Sequence, residues 1–430
     1  MVRARRVENE RKKMEASTYS YNTFRGTTDG VHTATLRVPA AATSGAPLPV
    51  LVYLHGGYWK PQWGVHNLDA SGLFAGFGAD QLATWSVEYA RVDQSDPAAS
   101  VAGGGWPHTC LDVLAALNTL TVLPDETRAR LNLSCVYLAG HSAGGHLALW
   151  LGCLSRLSRE ELERVAFAVE KVAGADAAAA ARSGIAEGVC VRGVVGFAAV
   201  TSLSACAALG LSDFHDAALH FLWRAGPSQA AALSSGQLGA ACPLSMWCSL
   251  PELPEMGDGA GGAPGPSPLR VLLLHGLDDV DVPASLSLGL AAAAWSAPKP
   301  PPLWLLLLPG CDHYVVAGLG STDAADATPN APWPRIASAL RAFVAEDDAA
   351  LGAACCTSLA AAEALAATAI EPVCARRSMS NIATDDAEFA QWGADKPKSA
   401  AALARGLRKW LTWVGEAPAE VVRVWLEAHE

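Results

Sequence analysis

Seven runs of apolar residues punctuate the chain, at 31–38, 50–54, 84–89, 134–139, 191–198, 269–274 and 303–308. Most are continuous rather than alternating, which suits strands buried on both faces of a parallel sheet. The first run differs. From His32 to Val38 it reads His-Thr-Ala-Thr-Leu-Arg-Val, the alternation of a half-exposed antiparallel edge strand, and residues 19–24 offer it a partner. Together these give about eight strands. Helix-like segments separate them, and this β…α…β alternation predicts an α/β protein with a mostly parallel sheet covered by helices on both faces.

Other stretches break the alternation. Residues 157–190 hold a charged helical segment and then an alanine tract, read as an insertion, and a second insertion spans 201–268. Within it, Phe214, Phe221, Trp223 and Trp247 could line a pocket under a lid or simply pack the insertion on the core. Residues 256–268 are rich in Gly, Pro and Ser and predict a loop. Beyond Glu346 the sequence turns alanine-rich, then places Leu403, Leu407, Trp410, Leu411 and Val414 at helical spacing. The expected organisation is a basic tail at 1–16, a catalytic domain at 17–346 and a helical extension at 347–430. No internal repeat is visible.

Composition narrows the function classes. Hydrophobic residues make up 51% of the 430, but many are alanine, and no run of about 18 strongly apolar residues predicts a spanning helix. A net charge of −11 opposes binding to phosphate backbones, so nucleic acid and membrane are poor partners and a small-molecule substrate is expected. The amino-terminal residues Arg3, Arg5, Arg6, Arg11, Lys12 and Lys13 alternate with Glu8, Glu10 and Glu15. They lack the apolar stretch of a secretory signal, and their acids disfavour a transit peptide, so a cytoplasmic location is expected. Eleven cysteines, an odd number, fit a reduced compartment. Neither Cys242 with Cys248 nor Cys355 with Cys356 has zinc-site spacing, so no structural metal is expected.

Candidate chemistry centres on Gly140-His141-Ser142-Ala143-Gly144. This G-x-S-x-G segment follows a strand-like run and leads into a helix whose Leu147, Trp150, Leu151 and Leu154 share one face. Such a strand-to-helix turn holds its serine in a strained conformation with the hydroxyl exposed, which makes Ser142 the candidate nucleophile. A serine needs a base, and this arrangement supplies acid and base later in the chain. The loop His275-Gly276-Leu277-Asp278-Asp279-Val280-Asp281-Val282-Pro283 offers three carboxylates. Hydrolase loops of the form H-G-x-x-D-x-x-V-P put Asp279 in the acid position and leave Asp278 and Asp281 as loop residues. Past the run 303–308, Pro309-Gly310-Cys311-Asp312-His313 presents His313 as the base. His55-Gly56-Gly57, after the run 50–54, supplies backbone N–H groups for an oxyanion hole, with Ala143 as the second donor.

These pieces identify the α/β-hydrolase fold. His55-Gly56-Gly57-Tyr58-Trp59 together with Gly140 to Leu147 resembles the kynurenine formamidases (arylformamidases) of that superfamily. The esterase and lipase group related to hormone-sensitive lipase more often has a third glycine where Tyr58 stands. Val87-Glu88-Tyr89, Gly105-Trp106-Pro107 and Asp112 also match, and the resemblance spans about 31–344. It implies Ser142, Asp279 and His313 as nucleophile, acid and base, an oxyanion hole at Gly56, Gly57 and Ala143, no cofactor, and hydrolysis of N-formyl-L-kynurenine to formate and L-kynurenine. Tyr58 and Trp59 would wall the substrate pocket, with Trp63 near them and Lys60 or Arg91 pairing a substrate carboxylate. A carboxylesterase for small acyl or aryl esters needs the same triad and is the alternative. A catalytically silent binding protein would be expected to have lost a triad residue.

Overall fold

The computed structural model describes residues 14–26, 30–39, 46–66, 70–78, 81–92, 103–209, 211–212, 217–223, 236–248, 268–297, 300–319, 332–362 and 364–365. The tail at 1–13, Phe214, the loop at 256–267 and the helix expected around 403–414 lie outside them.

Eight strands form one sheet: β1 (Met14–Ser20), β2 (Thr33–Pro39), β3 (Leu48–Leu54), β4 (Ala83–Val87), β5 (Leu131–His141), β6 (Val191–Phe197), β7 (Arg270–Gly276) and β8 (Leu303–Leu308). Their spatial order is β1-β2-β4-β3-β5-β6-β7-β8. The β1–β2 and β2–β4 pairs are antiparallel, and every pair from β4 to β8 is parallel. The alternating pattern of 32–38 thus marks a near-edge strand, and the continuous runs mark the doubly covered parallel part.

The helices are α1 (Ser71–Gly76), α2 (His108–Thr119), α3 (Asp125–Arg128), α4 (Ala143–Leu154), α5 (Arg159–Ser183), α6 (Leu203–Ala208), α7 (Ala217–Trp223), α8 (Gly236–Ala241), α9 (Pro243–Cys248), α10 (Ser285–Trp295), α11 (Pro332–Val344) and α12 (Asp348–Ala354). Strand periodicity divides the core between two faces. Val50, Val52, Leu54, Val136, Leu138, Val194, Val271 and Leu273 join a large cluster with α2, α4, α5 and α10. Leu51, Tyr53, Tyr137, Ala139, Val195, Phe197, Leu272 and Leu274 face the opposite way, onto Leu73 of α1, Phe77 just past it, and Ile336, Leu340 and Phe343 of α11.

Two boundaries differ from the sequence reading, at β1 and past Glu346, while the helical segment expected within 157–190 is present. The edge strand is Met14–Ser20 rather than 19–24, because Tyr21 closes the pairing with its N–H to His32 O (2.9 Å) and the chain turns at once through reciprocal Thr23–Gly26 bonds. Part of the expected tail therefore belongs to the sheet. The stretch 157–190 holds α5, started by a Ser158–Glu161 capping box and broken at Gly174 (φ 82°). It buries Val165, Ala166, Val169, Ala177 and Ala181 as a second helical layer over α2. Past Glu346, α12 buries Leu351, and Cys356 pairs antiparallel with Leu305 of β8. The apolar edge strand β8 is covered there, which removes an open template for pairing with another chain. Among the described residues no helix is long and apolar enough to cross a membrane.

Candidate active site

After β3 the chain turns to one side of the sheet, toward β4, and after β5 to the other, toward β6. The loops leaving the carboxyl ends of β3 and β5 therefore diverge and open a crevice between them, the usual place for a ligand in an open α/β sheet. The loop 55–65 and the Ser142 turn both lie there.

Ser142 caps α4 with φ 56° and ψ −121°, a conformation that costs a non-glycine residue about 1–3 kcal/mol. Its surroundings impose it. The Ser142 N–H donates to Phe197 O (2.9 Å), while Ser142 O accepts from His146 N and Val200 N (both 3.2 Å). Gly144 has no room for a side chain, since a Cβ there would meet Leu54 O at 2.1 Å. The spacing of small residues in the motif follows from this close passage of helix over strand.

His313 and Asp279 come together as the sequence reading expects, with His313 Nδ1 donating to Asp279 Oδ2 at 2.7 Å. Asp279 Oδ1 accepts the N–H groups of Asp281 (2.9 Å) and Val282 (2.8 Å). Burial alone would push the Asp279 carboxyl up, but the hydrogen bonds and charges of His275 and His313 outweigh it and hold the group well below the ordinary carboxylate value. Asp278 is only half-buried and meets the histidine loop through its backbone, its N–H donating to Cys311 O (3.0 Å). Asp281 is exposed. The register of the loop thus selects Asp279 as the partner of His313.

Two histidines beyond the triad candidates fix these loops. His141 Nε2 donates to His313 O (2.8 Å), with the two rings 4.5 Å apart, so the residue before Ser142 carries the histidine loop. Burial and the neighbouring His313 push the His141 imidazole down to about 3, which keeps it neutral with one N–H. His275 Nε2 faces Val282 O (2.7 Å) and Asp279 Oδ2 (3.4 Å), and its Nδ1 meets Ser287 Oγ at 2.7 Å. The partner of His141 comes from a loop 172 residues along the chain, whereas those of His275 lie 4 to 12 residues on, in its own loop and the helix that follows.

The glycine loop lies against the elbow. A Cβ on Gly56 would stand 2.8 Å from His141 Nδ1 and 3.1 Å from Ser142 Cβ. Gly57, Tyr58 and Trp59 all have positive φ, at 109°, 50° and 57°. Among the described residues neither the Gly57 nor the Ala143 N–H has a protein acceptor, so both remain available to a developing oxyanion. Tyr58 reaches across to the acid loop, its hydroxyl donating to Asp281 O at 2.5 Å.

Not every expected pocket residue faces the site. Trp59 is fully buried, stacked on Phe221 at 4.3 Å and edge-on to His146, so it builds the floor of the loop rather than an open wall. Phe221 and Trp247 are likewise packed in the core. Arg91 is buried against Glu88 and donates to Trp63 O at 2.6 Å, so the structure does not bring its guanidinium to a substrate carboxylate. Lys60 is buried as well. Asp279, Asp281 and His313 offer ligand atoms within 4.8 Å of one another. The Asp279 oxygens are already engaged by two backbone N–H groups and His313, an arrangement suited to orienting an imidazole rather than holding a cation.

The sheet order is that of an α/β-hydrolase fold, and the strained serine after β5 and the Asp–His pair from the loops after β7 and β8 stand where a candidate serine-hydrolase site would require them. A family model described as BD-FAE matches residues 36–219, which include the glycine loop and Ser142 but stop before Asp279 and His313. Esterase B from Lactobacillus rhamnosis superposes with a TM-score of 0.52 at 16% identity, over 81% of this chain and 94% of the esterase. The same esterase with a tributyrin phosphonate gives a TM-score of 0.51 at 16% identity, over 81% and 94%. Carboxyl esterase 2 from the mycorrhizal fungus Tuber melanosporum gives 0.48 at 16% identity, over 79% and 88%. No curated protein matches the sequence significantly.

Proposed function

We propose that the chain is a carboxylesterase that cleaves small acyl or aryl esters through Ser142, His313 and Asp279. The observation that carries this reading is the 2.7 Å bond from His313 Nδ1 to Asp279, in a loop tied to the elbow through His141. His313 Nε2 has no protein partner among the described residues, so it can take the Ser142 proton as Oγ attacks the ester carbonyl. The oxyanion then rests on backbone N–H groups of Gly56, Gly57 and Ala143, and Asp279 stabilises the imidazolium. His313 returns the proton to the departing alcohol. Water, deprotonated by the same imidazole, attacks the acyl-enzyme and releases the acid. No cofactor enters these steps.

Two observations favour esters over N-formylkynurenine. Arg91, a candidate partner for an amino-acid carboxylate, is occupied by Glu88 and Trp63 O, and Trp59, a candidate aromatic wall, is buried under Phe221. The esterases that share the fold lend support. The arylformamidase reading keeps one feature, the partly exposed Tyr58 beside the acid loop, and is the second reading. The test is a comparison of kcat/KM for p-nitrophenyl acetate, p-nitrophenyl butyrate and N-formyl-L-kynurenine. Ester turnover at least tenfold above formamide turnover is expected. Formate release from N-formylkynurenine with negligible ester cleavage would replace the proposal with the arylformamidase.

A further inference from the structure

Directly after Gly57, Tyr58 and Trp59 hold left-handed backbone conformations that strain a non-glycine residue, and such conformations persist only when the surroundings over-determine them. The surroundings here are five residues that follow β4. Glu88 Oε1 accepts from His55 Nε2 (3.0 Å), from the Tyr89 N–H (3.2 Å) and from Arg91 Nη1, while Oε2 accepts the Val65 N–H (3.0 Å). Arg91 Nη1 donates in addition to Trp63 O (2.6 Å), and the Val92 N–H donates to Trp59 O (2.8 Å). Tyr89 stacks on the His55 ring, 4.2 Å apart and within 4° of parallel, and its hydroxyl donates to His55 O at 2.5 Å. The loop is therefore held at its start (His55), its middle (Trp59) and its end (Trp63 and Val65). Contact is close enough that a Cβ on Gly64 would stand 2.5 Å from Glu88 Oε2 and 2.7 Å from Arg91 Nη1. The Glu88 backbone is itself anchored, its carbonyl accepting the Tyr21 hydroxyl at 2.6 Å.

We propose that Glu88, acting with Arg91, is a positioning residue for the oxyanion hole: its carboxylate pins both ends of the loop 55–65 and so holds the Gly56 and Gly57 N–H groups against Ser142. This rests on the hydrolase reading above. Glu88 touches neither substrate nor triad; it acts through His55 and Val65. Burial alone would push the Glu88 carboxyl up, but the hydrogen bond and charge of His55, then the charge of Arg91 and the Val65 N–H, outweigh it and hold the group below its ordinary value. The carboxylate thus stays ionised and keeps all its acceptor sites.

Glu88→Gln tests this, because an amide keeps the shape but loses the charge and one acceptor oxygen. Donors of an oxyanion hole that are displaced, not removed, should cost somewhat less than the ~10²–10³-fold of a deleted donor. The expected result is a 10- to 100-fold fall in kcat on p-nitrophenyl acetate with KM within threefold. Affinity for a trifluoromethyl ketone, which forms a tetrahedral adduct, should weaken by the same factor as kcat/KM. A merely structural role would lower the melting temperature and leave these ratios alone. If Glu88→Gln does not fold, Arg91→Lys takes its place, since it keeps a cation beside Glu88 and loses the fork that reaches Trp63 O. Unchanged kcat and adduct affinity in the folded variant would overturn the proposal while wild-type ester cleavage and fluorophosphonate labelling of Ser142 stood. A wild-type protein that neither cleaves esters nor labels would overturn the hydrolase reading first, and this inference with it.

Discussion

Asp279–His313 at 2.7 Å and Glu88–His55 at 3.0 Å are the tightest buried carboxylate–imidazole pairs among the described residues, and both stand at the carboxyl end of the sheet. By distance and burial they are close to equivalent; the difference lies in what else each group touches. Both nitrogens of His55 face acceptors, Glu88 Oε1 and Gly56 O, and Glu88 is shared with Arg91. His313 spends only Nδ1, and Asp279 receives backbone N–H groups and imidazoles with no Lys or Arg among its partners in the described residues. A proton can be relayed only through a nitrogen left open, and an imidazolium is stabilised best by a carboxylate that no fixed cation has already neutralised. The Asp279 pair meets both conditions and the Glu88 pair neither. A third pair, His32–Asp112 at 3.3 Å, is held by Arg25 at 3.0 Å and sides with Glu88.

The largest effect should come from breaking the pair that keeps an open nitrogen. Asp279→Asn leaves the shape but removes the acceptor that fixes the His313 tautomer, and kcat should fall by about 10⁴. Asp278→Asn, one residue away, should leave kcat within a factor of two, because the hydrogen bond of Asp278 to the histidine loop comes from its backbone N–H, which the substitution keeps. Steady-state kinetics on a p-nitrophenyl ester decides between them, and the reverse ranking would overturn the assignment.

This contrast also separates what sequence could and could not show. The elbow was legible because its causes are local: small residues at fixed spacing between a strand and a helix. So were the parallel strands, whose continuous apolar runs reflect burial on both faces. Glu88 was visible as part of Val87-Glu88-Tyr89 in the run 84–89 but its task was not, since its partners His55 and Val65 are brought to it by the parallel pairing of β3 with β4. The cover on β8 was missed for a similar reason, because a two-residue bridge between Leu305 and Cys356 leaves no periodicity to read. The Arg91 reading failed because a buried guanidinium looks in sequence like one available to a ligand.

A second way to sharpen the comparison is to break the His32–Asp112 pair. Asp112 is fully buried and serves Arg25 Nη2, His32 Nε2 and the Ala90 N–H. Asp112→Asn weakens three buried hydrogen bonds, but Arg25 is exposed and can turn to water, so the cost should be about 1–3 kcal/mol. Urea unfolding would measure the loss, with kcat of the folded fraction unchanged. A kcat that fell along with stability would mean that the Asp112 pair belongs to the catalytic set after all.

The smallest effect concerns imidazoles with no carboxylate at all. His146 is buried one turn beyond Ser142, donates from Nε2 to Ala241 O (2.9 Å) and packs against Trp59 and Phe221. Burial pushes it down from its ordinary 6.5 to about 4, against a smaller upward pull from Ala241 O. The unfolded chain therefore takes up a proton on this side chain as the pH drops below 6.5, while the folded chain refuses it until about 4. Between those values the unfolded state binds more protons, so stability must fall on acidification, by up to about 1.4 kcal/mol per pH unit for one such group. His141 adds a similar dependence that extends to about 3. Replacing His146 with Gln, which can still donate to Ala241 O, should remove its share of the slope, so that the melting temperature of His146→Gln declines less steeply than wild type from pH 6.5 to 4. Parallel declines in the two proteins would show that His146 is protonated in the folded state across this range, and that a buried imidazole here needs no carboxylate to hold its charge.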